Sequence, residues 1–329
     1  MTTRRQLSRM LFALAAAGSG VTAFGEQGDY PNRPIKLVVP YAPGGGPDVL
    51  ARSMADRLGQ VLRVPVVVEN IVGAGGILAA QSTARATPDG YTLLLGSSSH
   101  VVQKAMQPRV KFDPLKDFAP VSRVAFSPSM LVVAAASPYR SVQDLVAAAK
   151  RQPGKLTYAS GGVGSAAHLC AAALVQRAGI EVLHVPYKGS VAIIPSLLGG
   201  ETQFAFPIAS TAVPQIRGGK VRVLAVSSAR RMPAFPDVPT LAEVFKTPEL
   251  AMDAWFGLWL PAGTPPAVVD TLFKALAKVY EDSDLRAASE AAGAPVALSE
   301  SPAEFMNFMR AETAKYTRLV ASAKLGTEN

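Results

Sequence analysis

The sequence predicts an α/β protein of two similar lobes, each a mainly parallel β-sheet flanked by helices. Short β-rich apolar runs alternate with longer segments of helical periodicity along most of the chain. The order strand, glycine-rich loop and helix occurs in both halves of the sequence. With 329 residues, 49% of them hydrophobic, the chain can bury a large core, and its length favours two domains.

The first lobe is predicted from three strands and two helices in βαβαβ order. IKLVVP (35–40) is typical of a buried strand, and PDVLARSMADRLGQVL follows as a helix with Pro47 in its first turn. VPVVVEN gives the second strand, GILAAQSTARA a helix, and YTLLLG the third strand after the turn at Asp89 and Gly90. The handedness of crossover connections makes these three strands parallel.

The second lobe begins near residue 126 with the strand MLVVAAAS. Ser141 and Asp144 have the spacing of a capping box for the helix VQDLVAAAKRQ. The strand LTYAS, the loop GGVGS and the helix AAHLCAAALVQRAG follow, then VLHVP, AIIPSLLGG, TQFAF and VRVLAVSS. The chain ends with the strand DAWFGLWLPAG, the helix PPAVVDTLFKALAKVY and a long amphipathic helix from residue 301, whose aromatic and methionine side chains we expect in the core.

Residues 1–25 are predicted to be an export signal that is removed. The segment has a basic start, an apolar stretch from Met10 and small residues near its end. The pair Arg4 and Arg5 is typical of twin-arginine signals, and an ordinary secretory signal is the alternative. A retained anchor is disfavoured because the apolar run is short and interrupted by GSG. We therefore expect the protein in the periplasm, with a formal charge that falls from +9 to +6 when the signal and its three arginines are lost.

The sequence lacks the motifs of several functional classes. No basic run is interleaved with aromatics, so we expect no nucleic-acid partner. GAGGIL (73–78) has Leu78 where a dinucleotide fingerprint needs its third glycine, and no G-x-x-x-x-G-K-[ST] loop occurs. Three dispersed histidines and one cysteine offer no metal cluster. We expect neither a cofactor nor a metal.

Three glycine-containing loops are candidates for binding a small anion. YAPGGGPD (41–48), NIVGAGG (70–76) and ASGGVGSAAH (159–168) each lie between a predicted strand and a helix. Such loops offer free backbone N–H groups and the positive end of a helix dipole, at the sheet edge where α/β proteins bind ligands. Any one of them could be a plain turn, but together they predict an anion site.

An exported α/β hydrolase is the alternative from another functional class. The nearest candidates for its nucleophile and base are Ser165 and His168. No G-x-S-x-G elbow occurs in the sequence, so this alternative has no motif behind it.

At these loops the sequence resembles the Bug or TctC-type substrate-binding receptors of tripartite tricarboxylate transporters, over essentially the whole mature chain. Gly44, Gly45, Asp48, Ala51 and Arg52 fit the family's GG-x-x-D-x-x-A-R pattern. VVVENIVGAGGILAA, PDGYTLLLGSSSH, YASGGVGSAAHL, VPYKGS and WFGLWLPAGTP match further motifs in the family's order.

The resemblance implies a non-enzymatic receptor with a type II-like periplasmic-binding-protein fold and its ligand in the interlobe cleft. Lobe 1 would comprise residues 26–125 and 254–329, and lobe 2 residues 126–253. The receptor would be a monomer that binds a small carboxylated solute and delivers it to the permease subunits of a tripartite tricarboxylate-type transporter. A receptor that feeds a sensor instead of a permease is a further alternative.

The resemblance also implies which residues contact the solute, mainly through backbone N–H groups, hydroxyls and water. They are Tyr41, Gly44, Gly45, Ala74, Gly75, Gly76, Ser97, Ser98, Ser99, Ser160, Gly161, Ser165, His168 and Pro207. Pro207, in FAFPIAS, stands where many relatives have an aspartate. Without that carboxylate, we expect a plain mono- or dicarboxylate, aromatic ones included, and not an amino acid.

Overall fold

The computed structural model describes residues 30–107 and 109–322. The predicted export signal, residues 1–25, lies outside the described residues. Within the described ranges, no helix is both long and apolar enough to cross a membrane.

Ten strands and eleven helices make up the described chain. The strands are β1 Ile35–Val39, β2 Val66–Asn70, β3 Thr92–Ser97, β4 Phe118–Pro128, β5 Met130–Ala134, β6 Thr157–Ser160, β7 Leu183–Pro186, β8 Phe204–Ala205, β9 Val221–Val226 and β10 Asp253–Pro261. The helices are α1 Gly46–Leu62, α2 Ile77–Ala84, α3 Ser98–Met106, α4 Val142–Arg151, α5 Ala166–Ala178, α6 Ile193–Leu198, α7 Ala209–Arg217, α8 Leu241–Phe245, α9 Pro266–Val279, α10 Ser283–Ala291 and α11 Pro302–Ser322. Single 3₁₀ turns occur at Ala74–Gly76, Ser190–Ala192 and Pro248–Leu250.

The strands form two five-stranded sheets with the same arrangement. The first has the order β2-β1-β3-β10-β4 and the second β7-β6-β8-β5-β9. In each, the first three strands are parallel and the last two strands run antiparallel to their neighbours. The predicted two-lobed α/β fold and the parallel βαβαβ unit are confirmed. Each sheet is nevertheless mixed, because β10 and β4 in the first sheet and β5 and β9 in the second pair in antiparallel fashion.

The chain passes between the sheets at two neighbouring crossings. The first joins β4 to β5 at Ser129, and the second leads from β9 through α8 to β10. Ser227 links them, since its N–H donates to Ser129 O at 2.8 Å and its carbonyl accepts from the Met252 N–H at 2.7 Å. The predicted lobe boundaries at 125/126 and 253/254 stay predictions.

Helix α11 covers the first sheet with the apolar stripe that its periodicity predicts. Phe305 and Met309 are fully buried and Tyr316 is nearly so. The ring of Phe305 packs edge-on against Trp255 of β10, with centroids 5.7 Å apart. A β-carbon on Gly257 would clash with the Phe305 ring, so glycine is what lets the helix lie this close to the sheet.

Candidate functional site

A cleft of about 480 Å³ opens where the loops after parallel strands of both sheets meet. It lies at the carboxyl ends of the strands, the usual ligand position in α/β folds. Its lining residues are Pro40, Tyr41, Ala42, Val72 to Gly76, Ser99, Gln107, Gly161 to Val163, Ser165 and Tyr187 to Ser190. A smaller inner pocket of about 50 Å³ adjoins it and is lined by residues that include Ser97 to Ser99, Ala166, Ala167, Phe206 to Ile208, Ala254 and Phe256.

The turn after β2 forms one wall and has an unusual backbone. Four consecutive residues have positive φ: Gly73 at 143°, Ala74 at 47°, Gly75 at 64° and Gly76 at 95°. An alanine in the left-handed region costs free energy, and such strained residues are found mostly at functional sites. Among the residues that the structure describes, nothing accepts from the N–H groups of Ala74 and Gly75. This turn therefore offers free donors to the cleft.

Tyr41 and Ser97 form a hydroxyl chain at the first lobe's inner wall. The Tyr41 hydroxyl donates to Ser97 Oγ at 2.8 Å, and the Ser97 N–H donates to His100 Nδ1 at 3.0 Å. Burial raises the Tyr41 pKa to about 12 and lowers the His100 pKa to about 4. Both groups are neutral at pH 7. His100 holds the start of α3, while Tyr41 and Ser97 line the inner pocket.

The second wall rests on a stack of three rings, Tyr158, His184 and His168. His184 Nε2 lies 2.6 Å from Ser160 Oγ, and the Gly164 N–H donates to His168 Nδ1 at 3.2 Å. The two imidazoles stack at 4.3 Å between centroids, and His184 stacks on Tyr158 at 4.7 Å. Burial lowers both imidazole pKa values to about 4, so the rings hold the loop as neutral groups.

Two helix N-termini point at the inner pocket. Ser98 and Ser99 in the first turn of α3, and Ala166 and Ala167 in the first turn of α5, line it from opposite lobes. First-turn N–H groups have no partner within their own helix, and the helix dipole adds partial positive charge there. The inner pocket therefore favours a small anion such as a carboxylate group.

A buried aspartate holds the glycine loop after β1. Asp48 accepts hydrogen bonds from Gly44 N–H at 2.9 Å, Arg52 Nε at 2.9 Å and Asn70 Nδ2 at 2.7 Å. Asn70 also donates to Tyr41 O at 2.9 Å. Burial opposes ionisation of Asp48, but these hydrogen bonds and the Arg52 charge outweigh it and lower the Asp48 pKa. The hydrogen bonds of Asp48 and Asn70 thus fix the glycine loop and the backbone position of Tyr41.

The predicted site residues fall into two groups in the structure. Those that line the cleft or inner pocket are Tyr41, Ala74, Gly75, Gly76, Ser97, Ser98, Ser99, Gly161, Ser165 and Pro207. Gly44, Gly45, Ser160 and His168 are not among the lining residues. Ser160 and His168 are buried at 0% and 6% exposure and support the loop from behind.

Sequence reasoning missed the fourth loop of the cleft, Tyr187 to Ser190 after β7. YKGS is part of the motif VPYKGS shared with the receptor family, but none of its residues is among the predicted site residues. The rule that identified the other loops, a glycine-containing turn at the carboxyl end of a predicted strand, applies to it equally. Lys188 in this loop is the only formally charged residue among those that line the cleft and the inner pocket in the described chain.

Ser165 and His168 do not form a catalytic pair in the structure. Ser165 Oγ accepts from the His168 backbone N–H at 3.3 Å, while the His168 ring is bound to Gly164 N–H. Base and nucleophile therefore lack the ring-to-hydroxyl hydrogen bond of a catalytic pair. Within the described ranges, no three His, Cys, Asp or Glu side chains are grouped as a metal site requires.

Comparison with known proteins identifies the receptor family of the chain. The family model described as the tripartite tricarboxylate transporter family receptor matches residues 49–325. The structure of the periplasmic binding protein BugD is similar with a TM-score of 0.84 and 32% identity, over 90% of this chain and 99% of BugD.

Two similar structures contain carboxylates. Rpa4515 of R. palustris with adipate has a TM-score of 0.85 and 31% identity, over 90% of this chain and 99% of Rpa4515. MatC from Rhodopseudomonas palustris with bound malate has a TM-score of 0.83 and 30% identity, over 88% of this chain and 100% of MatC. The family and these structural neighbours are solute-binding receptors and not enzymes. The chain belongs to the receptor family of the tripartite tricarboxylate transporters, the Bug or TctC-type solute-binding proteins.

Proposed function

We propose that this protein is a periplasmic receptor that binds a small carboxylate in the interlobe cleft and delivers it to a tripartite tricarboxylate-type permease. The observation that carries the proposal is the inner pocket, where the first turns of α3 and α5 meet from opposite lobes. Their N–H groups, with those of Ala74 and Gly75 and the hydroxyl of Ser99, suit a carboxylate bound without a salt bridge. The adipate and malate in related structures support this ligand class.

The lining favours a carboxylate over an amino acid. No Asp or Glu is among the residues that line the cleft or inner pocket in the described chain, and Pro207 lies in the inner pocket. An ammonium group enclosed there would lose its hydration without gaining a carboxylate partner. We therefore expect mono- or dicarboxylates, aromatic ones included, to bind better than the corresponding amino acids.

Ligand binding would be coupled to lobe closure. A solute that contacts Ser99 on one side and Gly161 on the other stabilises the conformation in which both walls reach it. The Gln103 side chain already bridges the walls, because its Nε2 donates to Gly75 O at 3.3 Å and would lie 3.0 Å from a β-carbon on Gly164. The permease would then recognise the closed form.

The ligand is tested by native mass spectrometry of the purified protein followed by a thermal-shift screen of carboxylates. A ligand at about 100 times its dissociation constant adds roughly 2.7 kcal/mol to the free energy of unfolding. Adipamide, which keeps the chain of adipate but has no charge, is the matched control ligand. Absence of a shift across mono-, di- and aromatic carboxylates would overturn the proposal.

A pair of serine variants links binding to the cleft. Ser99→Ala removes a hydroxyl that lines both the cleft and the inner pocket, so affinity should fall about 10-fold, as for a lost hydrogen bond to a charged group. Ser283→Ala, at the exposed start of α10, is the control and should leave affinity unchanged. Equal affinities of the two variants would place the ligand elsewhere.

Partner, location and export need tests in cells. Deleting the gene should abolish uptake of the bound carboxylate, and loss of a transcriptional or chemotactic response with normal uptake would indicate a sensor. We propose a periplasmic monomer, to be checked by fractionation and light scattering. Replacing both Arg4 and Arg5 by lysine should trap the precursor in the cytoplasm if export uses the twin-arginine route, whereas continued export indicates the general route.

A further inference from the structure

Lys188 occupies a special position in the cleft. It lies in the turn that follows β7, on the wall formed by the second lobe, and its side chain is exposed. The remaining lining residues of the described chain supply N–H groups, hydroxyls, amides and apolar surface but no formal charge. A cation placed alone in a neutral cleft is a candidate for recognising an anionic part of the ligand.

No carboxylate in the described part of the chain forms an ion pair with Lys188. The lysines that form ion pairs in the described chain are Lys36, Lys116, Lys274 and Lys315. The nearby Glu201 instead accepts a hydrogen bond from the Tyr187 hydroxyl at 2.6 Å. That contact fixes the Tyr187 side chain and leaves the Lys188 ammonium group available for the ligand.

The inner pocket and Lys188 offer two separate sites for anions. Ser97, Ser98 and the first turn of α5 line the inner pocket but not the larger cleft, whereas Lys188 lines the cleft and not the inner pocket. A solute whose first carboxylate occupies the inner pocket would extend its other end into the larger cleft. A monocarboxylate would leave Lys188 without a partner.

We propose that Lys188 binds the second carboxylate of a dicarboxylate solute and thereby makes the receptor select dicarboxylates over monocarboxylates. This inference rests on the proposed function, because it assumes a carboxylate in the inner pocket. Closure of the lobes would remove water from around the ammonium group and strengthen its attraction for the carboxylate. An exposed pair contributes little, so the selectivity would arise mainly in the closed form.

The test compares ligands that differ only in the second carboxylate. Adipate and hexanoate share a six-carbon chain, and succinate and butyrate a four-carbon chain. By isothermal titration calorimetry, the wild type should bind at least one dicarboxylate about 10-fold more tightly than its partner, the range expected for a partly desolvated ion pair. The preference should weaken with added salt because the pairing is electrostatic.

Three variants assign the preference to this residue. Lys188→Met should lower the affinity for the dicarboxylate to that for the monocarboxylate, whose own affinity should not change. Lys188→Arg should keep the preference for the dicarboxylate. Lys150→Met, at the exposed end of α4, is the control and should behave as the wild type.

The possible failures can be told apart. If the wild type binds none of the four probes or any other carboxylate, the proposed function itself is wrong. If it binds both members of each pair equally, or if Lys188→Met weakens both equally, the role of Lys188 is wrong and the receptor function stands.

Discussion

Gly46, the first residue of α1, lies against Ser210 of α7 on the opposite lobe. A β-carbon on Gly46 would be 2.8 Å from Ser210 Cβ and 3.0 Å from its carbonyl carbon, closer than real contacts allow. The last glycine of the GGG run therefore has a packing role, since it lets the two lobes approach next to the cleft. Flexibility and ligand contact are not needed to explain it.

Gly46→Ala should lower ligand affinity by holding the lobes apart. Overpacking of this kind typically costs 1–3 kcal/mol, and if the closed form bears that cost, affinity should fall about 10-fold. Titration calorimetry with the best carboxylate measures the effect. Adding Ser210→Gly to the variant removes the nearest side chain and should restore part of the affinity.

Gly199→Ala is the matched control for this substitution. Gly199 ends α6 with a φ of −77°, and its nearest neighbour to a β-carbon is 3.3 Å away. It should leave affinity unchanged. If Gly46→Ala lowers the melting temperature but not the affinity, the contact persists in the open form and does not govern closure.

Asp48→Ala should destabilise the protein and weaken binding together. The change leaves Arg52, Asn70 and the Gly44 N–H without their buried acceptor. Loss of these hydrogen bonds costs about 2 kcal/mol, because Arg52 is half-exposed and is not left as a buried charge. Urea unfolding measures the stability, and binding should weaken because Asn70 no longer holds Tyr41 O in place.

Asp56→Ala serves as the control on the same helix. Asp56 is exposed and accepts one hydrogen bond, from Gln60 at 3.1 Å. Its loss should change stability by no more than about 0.5 kcal/mol. A similar loss for both variants would refute the bracing role of Asp48.

The parts of the fold that sequence analysis predicted are those with strong local patterns. β1, β2 and β3 each contain three consecutive apolar residues, and Ser141 and Asp144 form the expected capping box. No strand was predicted for β4, in which Pro120 lacks a backbone donor and argues against a central strand. β4 lies at the sheet edge, where the missing donor is tolerated. Helix α10 was not predicted, because only two of its residues, Leu285 and Ser289, are buried and its apolar periodicity is weak.

The site was predictable in its loops but not in its tertiary contacts. Strand, loop and helix order identifies which loops meet at the sheet edge. It cannot show that His168 turns behind its loop to stack on His184, or that Gly46 meets Ser210. Those contacts join residues far apart in sequence, and no local pattern encodes them.

The stacked imidazoles predict a loss of stability in weak acid. Burial and the neighbouring His184 lower the His168 pKa from 6.5 to about 4. Between these values the unfolded chain binds more protons than the folded one, so stability falls as pH drops from 6.5 towards 4. For His168 this amounts to about 3 kcal/mol.

His168→Gln should flatten that pH dependence whatever its stability at pH 7.5. The glutamine does not titrate, so the fall in the free energy of unfolding between pH 7 and pH 4.5 should be smaller than in the wild type. Urea unfolding at several pH values measures both slopes. Parallel curves for the two proteins would mean that His168 is not held neutral by its surroundings.

Asp253, the first residue of β10, should have the opposite pH dependence. Burial raises its pKa to about 6, with the Lys315 charge opposing the shift and the Glu312 carboxylate adding to it. Its Oδ1 is buried without a hydrogen-bond partner among the described residues. The folded state therefore holds a proton that the unfolded chain has released between pH 4 and 6, and stability falls as pH rises through this window.

Asp253→Asn should consequently stabilise the protein at pH 7.5 by about 2 kcal/mol, because the neutral amide replaces a carboxylate that burial disfavours. The gain should nearly vanish at pH 4.5, where the wild-type carboxyl is already protonated. Urea unfolding at the two pH values measures it, with Asp237→Asn as a control at an exposed loop position. A variant that is no more stable than the wild type at pH 7.5 would show that the attraction between Lys315 and the Asp253 carboxylate offsets the cost of burial. That charge pair would then help to hold the crossing between the lobes.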